Sequence, residues 1–282
     1  MKPLLFDIEQ ITHTYIDNTL ALKNITLSIQ QGKKIALLGN NGAGKSTLFL
    51  HLNGILRPTS GTIRFLGKDI TYSRDSLRSL RKQVGIVFQD PDAQLFSASV
   101  LEDISFGPQN LGLSREDVLR KVEWAMELTE TTPLKDKPTH FLSIGQKKRV
   151  AIAGVLAMEP EVIILDEPTA GLDSYFSRQI MQVLDHIHQQ NKTIILSTHD
   201  VNLAYQWADE IIVMHDGEIL GQGEPAQVFE QEDWLHKAHL EKPWILETFQ
   251  FLLGKHLVDS GTAAPKSRDE LYQFIAAKQK ER

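Results

Sequence analysis

The nine residues GNNGAGKST at 39–47 constrain this chain more than any other stretch. They match G-x-x-x-x-G-K-[S/T], follow directly on the apolar run KIALLG at 34–39, and lead into the helix-compatible STLFLHLNGIL. A strand that ends in glycines and turns into a helix points its backbone N–H groups inward at the helix N-terminus, which is where anionic phosphates bind. Gly39, Asn40, Asn41, Gly42, Ala43 and Gly44 then form the cradle, followed by Lys45, Ser46 and Thr47. In this motif the lysine reaches the β- and γ-phosphates and the Ser46 hydroxyl ligates Mg²⁺. The cofactors implied are ATP and Mg²⁺.

The rest of the chain supplies the sheet such a loop needs. Short apolar runs ending in Gly, Asp or Ser alternate with helical stretches, the pattern of a mostly parallel α/β sheet. The core strands expected are KIALLG (34–39), VGIVFQ (84–89), VIILDE (162–167), TIILST (193–198) and EIIVMHDGEIL (210–220). Ahead of them, LLFDIEQITHTY and ALKNITLSIQQGK alternate apolar and polar residues, as antiparallel strands laid beside the core do. Residues of about 90–158 read as a mainly helical insertion, in which Val118, Val122, Ala125 and Met126 share one helical face after a capping Ser114. From about 223 the chain leaves the core and ends in SRDELYQFIAAKQKER (267–282), a helix opened by Ser267 and Glu270.

Composition narrows the function classes. With no cysteine, thiol catalysis, Cys-ligated zinc and disulfides are excluded. A formal charge of −6 argues against a nucleic-acid partner, which leaves a basic footprint. No apolar run approaches the ~20 residues of a membrane span, and MKPLLFDIEQ reaches charge too early for a signal peptide. A cytoplasmic protein is expected, and any membrane role would draw its spans from another chain.

Two further elements bear on chemistry. VIILDEPTAGLD at 162–173 delivers Asp166 to the end of a buried strand, where it can hold Mg²⁺ through water. Glu167 follows, placed to polarise a water for in-line attack on a γ-phosphate. Its competing reading is an ordinary surface acid at a strand end. His199, in ILSTHD, ends the next strand at the edge where parallel sheets present their sites; alternatively it is a satisfied structural histidine.

The P-loop, FQDPDAQLF with its Gln89, LSIGQ, LDE, AGLD and STHD together resemble, in order and spacing, the ATPase subunits of ABC transporters over about residues 4–222. That resemblance implies a RecA-like P-loop NTPase core with an antiparallel β layer and a helical ABC subdomain. The expected division is an ATPase domain at 1–222 and a small C-terminal helical extension at 223–282. It also implies two ATPs sandwiched head to tail between two ATPase subunits, in a homodimer or homologous heterodimer. Ser143, Gly145 and Gln146 of each chain would face the γ-phosphate held by the other. Gln89 would report Mg²⁺ and the attacking water, Asp173 would couple the two sites, His199 would contact the γ-phosphate and Tyr15 would stack on adenine. For Tyr15 the bland alternative is a packed strand aromatic.

FQDPDAQLF, FGPQNLGLSREDV and GQKKRVAIAGVLAMEPEVIILDEPTAGLD are most similar to the energy-coupling-factor importers, in particular their cobalt/nickel-type ATPases. The resemblance implies a transmembrane coupling protein docked on the segment after Gln89, with Leu95 and Phe96 as apolar anchors unless both are core. It also implies a separate membrane subunit that selects the substrate, and a position on the cytoplasmic face of the membrane. Vitamin uptake is the alternative to metal uptake. Non-transport ABC proteins that carry two cassettes or a long coiled-coil insertion fit less well. Glu232, His236 and His239 stand at helical i, i+4, i+7 spacing and could hold a divalent ion, although such a set is more often a solvated face. The family usually has glycine where LSIGQ has Ile144; a β-branched residue there requires an ordinary backbone conformation.

Overall fold

A computed structural model describes residues 3–259 and 261–280. The last two residues of the C-terminal helix expected from sequence, 281–282, lie outside them. The chain runs β1 (Leu4–Thr14), β2 (Leu20–Gln30), β3 (Lys34–Leu38), α1 (Lys45–Leu52), β4 (Ser60–Phe65), β5 (Lys68–Asp69), α2 (Arg74–Gln83) and β6 (Val84–Val87). Then come α3 (Val100–Asn110), α4 (Arg115–Leu128), α5 (Ile144–Leu156), β7 (Val162–Leu165), α6 (Ser174–His188), β8 (Thr193–Thr198) and α7 (Val201–Trp207). It closes with β9 (Glu210–His215), β10 (Glu218–Gly223), α8 (Pro225–Phe229), α9 (Glu232–Ala238), α10 (Trp244–Gly254) and α11 (Arg268–Lys280).

Six strands form the core sheet in the order β10-β9-β3-β8-β7-β6. The pairs joining β9, β3, β8, β7 and β6 are all parallel. Strand alternation assigns its two faces to two different cores. Ile35, Leu37, Val162, Ile164, Ile195, Ile212 and Met214 pack with α1 and the β1/β2 layer. Ala36, Leu38, Ile163, Leu165, Ile194, Leu196, Ile211 and Val213 pack with the helices. Burial on both faces is why these runs read as continuously apolar. The segment 210–220 is not one strand, however. Asp216 and Gly217 both take positive φ (45° and 77°) and fold it into the β9–β10 hairpin, leaving β10 antiparallel at the sheet edge.

A second, four-stranded sheet, β2-β1-β4-β5, is antiparallel throughout. Sequence reading identified β1 and β2 but not β4, whose SGTIRF is too short and too polar to stand out. The helical lobe forms as its periodicity dictates: Val118, Val122, Ala125 and Met126 are the buried face of α4, and the Ser114 hydroxyl accepts the Asp117 N–H at 3.1 Å. At α11, Ser267 caps the Glu270 N–H (3.2 Å), while the Glu270 carboxylate reaches the Lys266 N–H rather than that of Ser267. Among the described residues no helix is long and apolar enough to cross a membrane.

Candidate functional site at the carboxyl edge of the parallel sheet

Parallel pairing sets Leu38 beside Thr198, Leu165 beside Leu196 and Val87 beside Leu165. The residues that leave these strands therefore emerge at one edge: Gly39 and its loop, Asp166 and Glu167, His199, and Gln89. The P-loop turns sharply there. Gly44 caps α1 at φ 99°, and a Cβ on it would lie 2.7 Å from the Ala21 carbonyl and 2.8 Å from Met214 Cε, so both conformation and space demand glycine. The Lys45 ammonium, only 6% exposed, donates to the carbonyls of Gly39 (2.7 Å) and Asn40 (3.0 Å) and lies 4.0 Å from Glu167 Oε1. Burial holds its pKa below the usual lysine range, against the opposing pull of Glu167 and Asp166.

Asp166 and Glu167 are both 7% exposed, so neither is the surface acid of the competing reading. A single hydroxyl arranges the pair: Ser197 Oγ donates to Asp166 Oδ1 (2.5 Å) and accepts the Glu167 N–H (2.9 Å). The Glu167 carboxylate is divided between neighbours. Its Oε2 accepts from Gln89 Nε2 at 3.1 Å, and its Oε1 lies 3.4 Å from His199 Nδ1. Glu167 has φ 45°, a left-handed conformation rare outside glycine, which persists only where the surroundings over-determine it.

Tyr15 follows β1 and is 38% exposed, not a packed strand aromatic; its hydroxyl is 3.0 Å from Thr47 Oγ1 and its ring meets His13 edge-on at 4.8 Å. The tyrosine is thus anchored to α1 and borders the P-loop. His51, fully buried on the same helix, hydrogen-bonds the Thr47 carbonyl through Nδ1 (2.7 Å), and burial lowers its pKa to about 4.

LSIGQ is the start of α5. The Ser143 hydroxyl accepts the Gln146 N–H (3.3 Å) and Gln146 Oε1 accepts the Ser143 N–H (3.0 Å), a complete capping box. The Gln146 carbonyl oxygen is therefore engaged within its own helix. Ile144, the first helical residue, points outward at 47% exposure. A Cβ at Gly145 would meet nothing closer than Leu172 Cδ2 at 3.4 Å, so its own chain does not require glycine there. Asp173 caps α6, accepting the Phe176 N–H at 2.9 Å.

Two expectations divide. Leu95 packs against the helical core, whereas Phe96 is 65% exposed and meets Phe106 edge-on at 4.7 Å, so only the second is a free apolar surface. The Glu232/His236/His239 spacing does not survive as a helical set: α9 ends at Ala238 and His239 caps it at φ 49°. Among the described residues no group of three or more His, Cys, Asp or Glu could hold a metal ion. Sequence reading missed Ser197 and Lys148. The first looked like a strand residue; the second sits at i+3 from Gly145 and i−4 from Ile152, on the buried stripe of α5, a signal hidden by the charged run KKR.

A family model described as ABC transporter matches residues 22–170, and one described as "AAA domain, putative AbiEii toxin, Type IV TA system" matches residues 137–204. The energy-coupling factor transporter ATP-binding protein EcfA of Methanosphaera stadtmanae is 44% identical over 274 residues, 97% of this chain and 99% of that protein. EcfA of Methanocaldococcus jannaschii is 48% identical over 88% of this chain and 89% of its own length. EcfA2 of Methanospirillum hungatei is 47% identical over 93% of this chain, which spans only 66% of that longer protein. Among solved structures, cbiO1 from Clostridium perfringens, described as part of the ABC transporter complex cbiONQ, superposes with a TM-score of 0.74 at 46% identity, covering 90% of this chain and all of that one. A dimeric post-hydrolysis state of the ATP-binding cassette MJ0796 bound to ADP and Pi gives a TM-score of 0.72 at 29% identity, covering 78% of this chain and 99% of that one.

Proposed function

Because this chain belongs to the ABC transporter ATP-binding family, we propose that it is the ATP-hydrolysing subunit of an energy-coupling-factor importer that takes up cobalt or nickel ions. The observation that carries the hydrolytic part is the convergence of Lys45, Gln89, Asp166, Glu167 and His199 at one sheet edge. ATP binds with its phosphates over the N-terminus of α1, where the backbone N–H groups and the Lys45 ammonium balance their charge. Adenine stacks on Tyr15. Glu167 takes a proton from the attacking water, and the Gln89 amide and His199 ring hold its two oxygens in place. The oxygen donors Ser46, Gln89 and Asp166 suit Mg²⁺, and the buried Asp166 keeps one carboxylate oxygen beyond its bond to Ser197. When bound, Mg²⁺ supplies positive charge to the β- and γ-phosphate oxygens.

The second half of each site comes from another ATPase chain. Ser143 and the N–H groups beside Gly145, at the N-terminus of α5, complete the γ-phosphate's surroundings in a head-to-tail dimer, with Asp173 linking the two sites. A transmembrane coupling protein docks on the lobe after Gln89, where Phe96 and Phe106 are exposed. A separate membrane subunit selects the cargo, and the chain sits at the cytoplasmic face of the membrane. The metal assignment is supported by the cobalt/nickel-type sequence features, and the transporter assignment by the likeness to cbiO1 of the ABC transporter complex cbiONQ.

The test is to purify the tagged chain from native membranes, identify every co-purifying polypeptide, and measure uptake of labelled Co²⁺ and Ni²⁺ by cells carrying wild-type or Glu167→Gln protein. Multi-spanning partners and metal uptake that needs Glu167 are expected. Glu167-dependent uptake of a vitamin instead of either metal would refute the cargo, and recovery without membrane partners would refute the importer.

A further inference from the structure

Lys148 stands one turn into α5 and is 3% exposed, in a run of charge that sequence alone would assign to solvent. Its ammonium donates to two backbone carbonyls, Glu167 at 3.0 Å and Ala170 at 2.7 Å. These carbonyls are the two ends of one turn, which the Ala170 N–H closes onto the Glu167 carbonyl at 3.1 Å. With Ser197 accepting the Glu167 N–H from the other side, the backbone of the left-handed Glu167 is gripped at both its donor and its acceptor.

A buried ammonium is an expensive way to fill space, because desolvation opposes its charge and an apolar side chain of similar length would stabilise the fold at least as well. Burial holds the Lys148 pKa below the usual lysine range, and the nearby charges of Glu167 and Asp166 offset this only in part. What the group adds is geometry. We propose that Lys148 is a positioning residue for hydrolysis, its two hydrogen bonds holding the Glu167–Ala170 turn, and so the Glu167 carboxylate, in register with the start of α5. The proposal rests on Glu167 being the base. It has a further consequence: α5 opens with Ser143 and Gly145, so the helix end that meets the other chain's nucleotide is tied through one side chain to this chain's own base.

The test uses the full-length chain and measures kcat, KM for ATP and the thermal midpoint. Lys148→Met removes both donors at similar length and is expected to lower kcat about 10–100-fold, with KM within about twofold of wild type, as misplacement of a reacting group does. Lys148→Gln, which keeps two N–H donors without the charge, is expected to recover kcat to within about threefold. If the methionine variant does not fold, Lys148→Ala, which leaves room for water at the carbonyls, takes its place. In a Glu167→Gln background, Lys148→Met should change the residual rate less than about twofold, because a residue that acts through another has nothing further to lose. A methionine variant with wild-type kcat, a loss that glutamine does not recover, or losses that multiply with Glu167→Gln would each overturn the proposal. Normal turnover in Glu167→Gln alone would instead overturn the base assignment, so the two failures are told apart.

Discussion

The turn at Asp166–Glu167 and the helix start at Ser143–Gly145, which the proposed function joins in one chemistry, are built in opposite ways. Both acids of the turn are 7% exposed, and Ser197, Gln89 and Lys148 hold side chain and backbone in place. At the helix start, the side-chain hydrogen bonds of Ser143 and Gln146 among the described residues are those of their own capping box, and the neighbouring Ile144 is 47% exposed. Under the proposed function, the difference is that between a half-site organised within one chain and one that is only presented to another. Preorganisation is needed where a proton moves and charge develops, whereas a docking edge needs its N–H groups outward and its cap intact.

Substitutions can break or sharpen this contrast. Glu167→Gln should have the largest effect: kcat lower by about 10²–10⁴, the range of a general base, with ATP affinity retained and an ATP-bound dimer accumulating on size-exclusion chromatography. Turnover near wild type would place the base elsewhere. Tyr15→Ala should weaken ATP binding about tenfold, within the range for stacking a base on an aromatic ring, and leave kcat at saturating ATP within about twofold. Titration with a fluorescent ATP analogue reads the first and a steady-state assay the second; unchanged affinity would overturn the stacking role. Ile144→Gly should have the smallest effect, ATPase activity within about threefold, because the side chain faces away from the cap. A gain of orders of magnitude would mean that the native helix start is impaired.

The sequence made the organised half legible to the level of strands. Each of the runs ending at Gly39, Gln89, Glu167 and Thr198 became a core strand, because sheets buried on both faces leave a continuous apolar signature. It could not show which way a strand-end residue points, and so could not show that one hydroxyl, Ser197, serves both acids. The hairpin at Asp216–Gly217 was legible in the Asp-Gly pair, a turn signal that reading 210–220 as one strand passed over; both residues take positive φ and reverse the chain. His239 shows the converse error: helical spacing persists in the letters after the helix has stopped. The partition of Leu95 from Phe96 depended on how the lobe packs, which adjacent residues of like hydrophobicity do not reveal.

The strand order has a consequence for how the molecule comes to exist. β3, which launches the P-loop, pairs on one side with β8 and on the other with β9, so it waits for residues 193–198 and 210–215 before either edge is satisfied. Such separations make for slow folding, because chain entropy is lost before the distant contact forms. During synthesis the phosphate-binding strand is therefore among the first core elements to emerge and among the last to be paired. A nascent chain stalled before residue 193 would expose both edges of an apolar strand, the form most prone to pair with another copy.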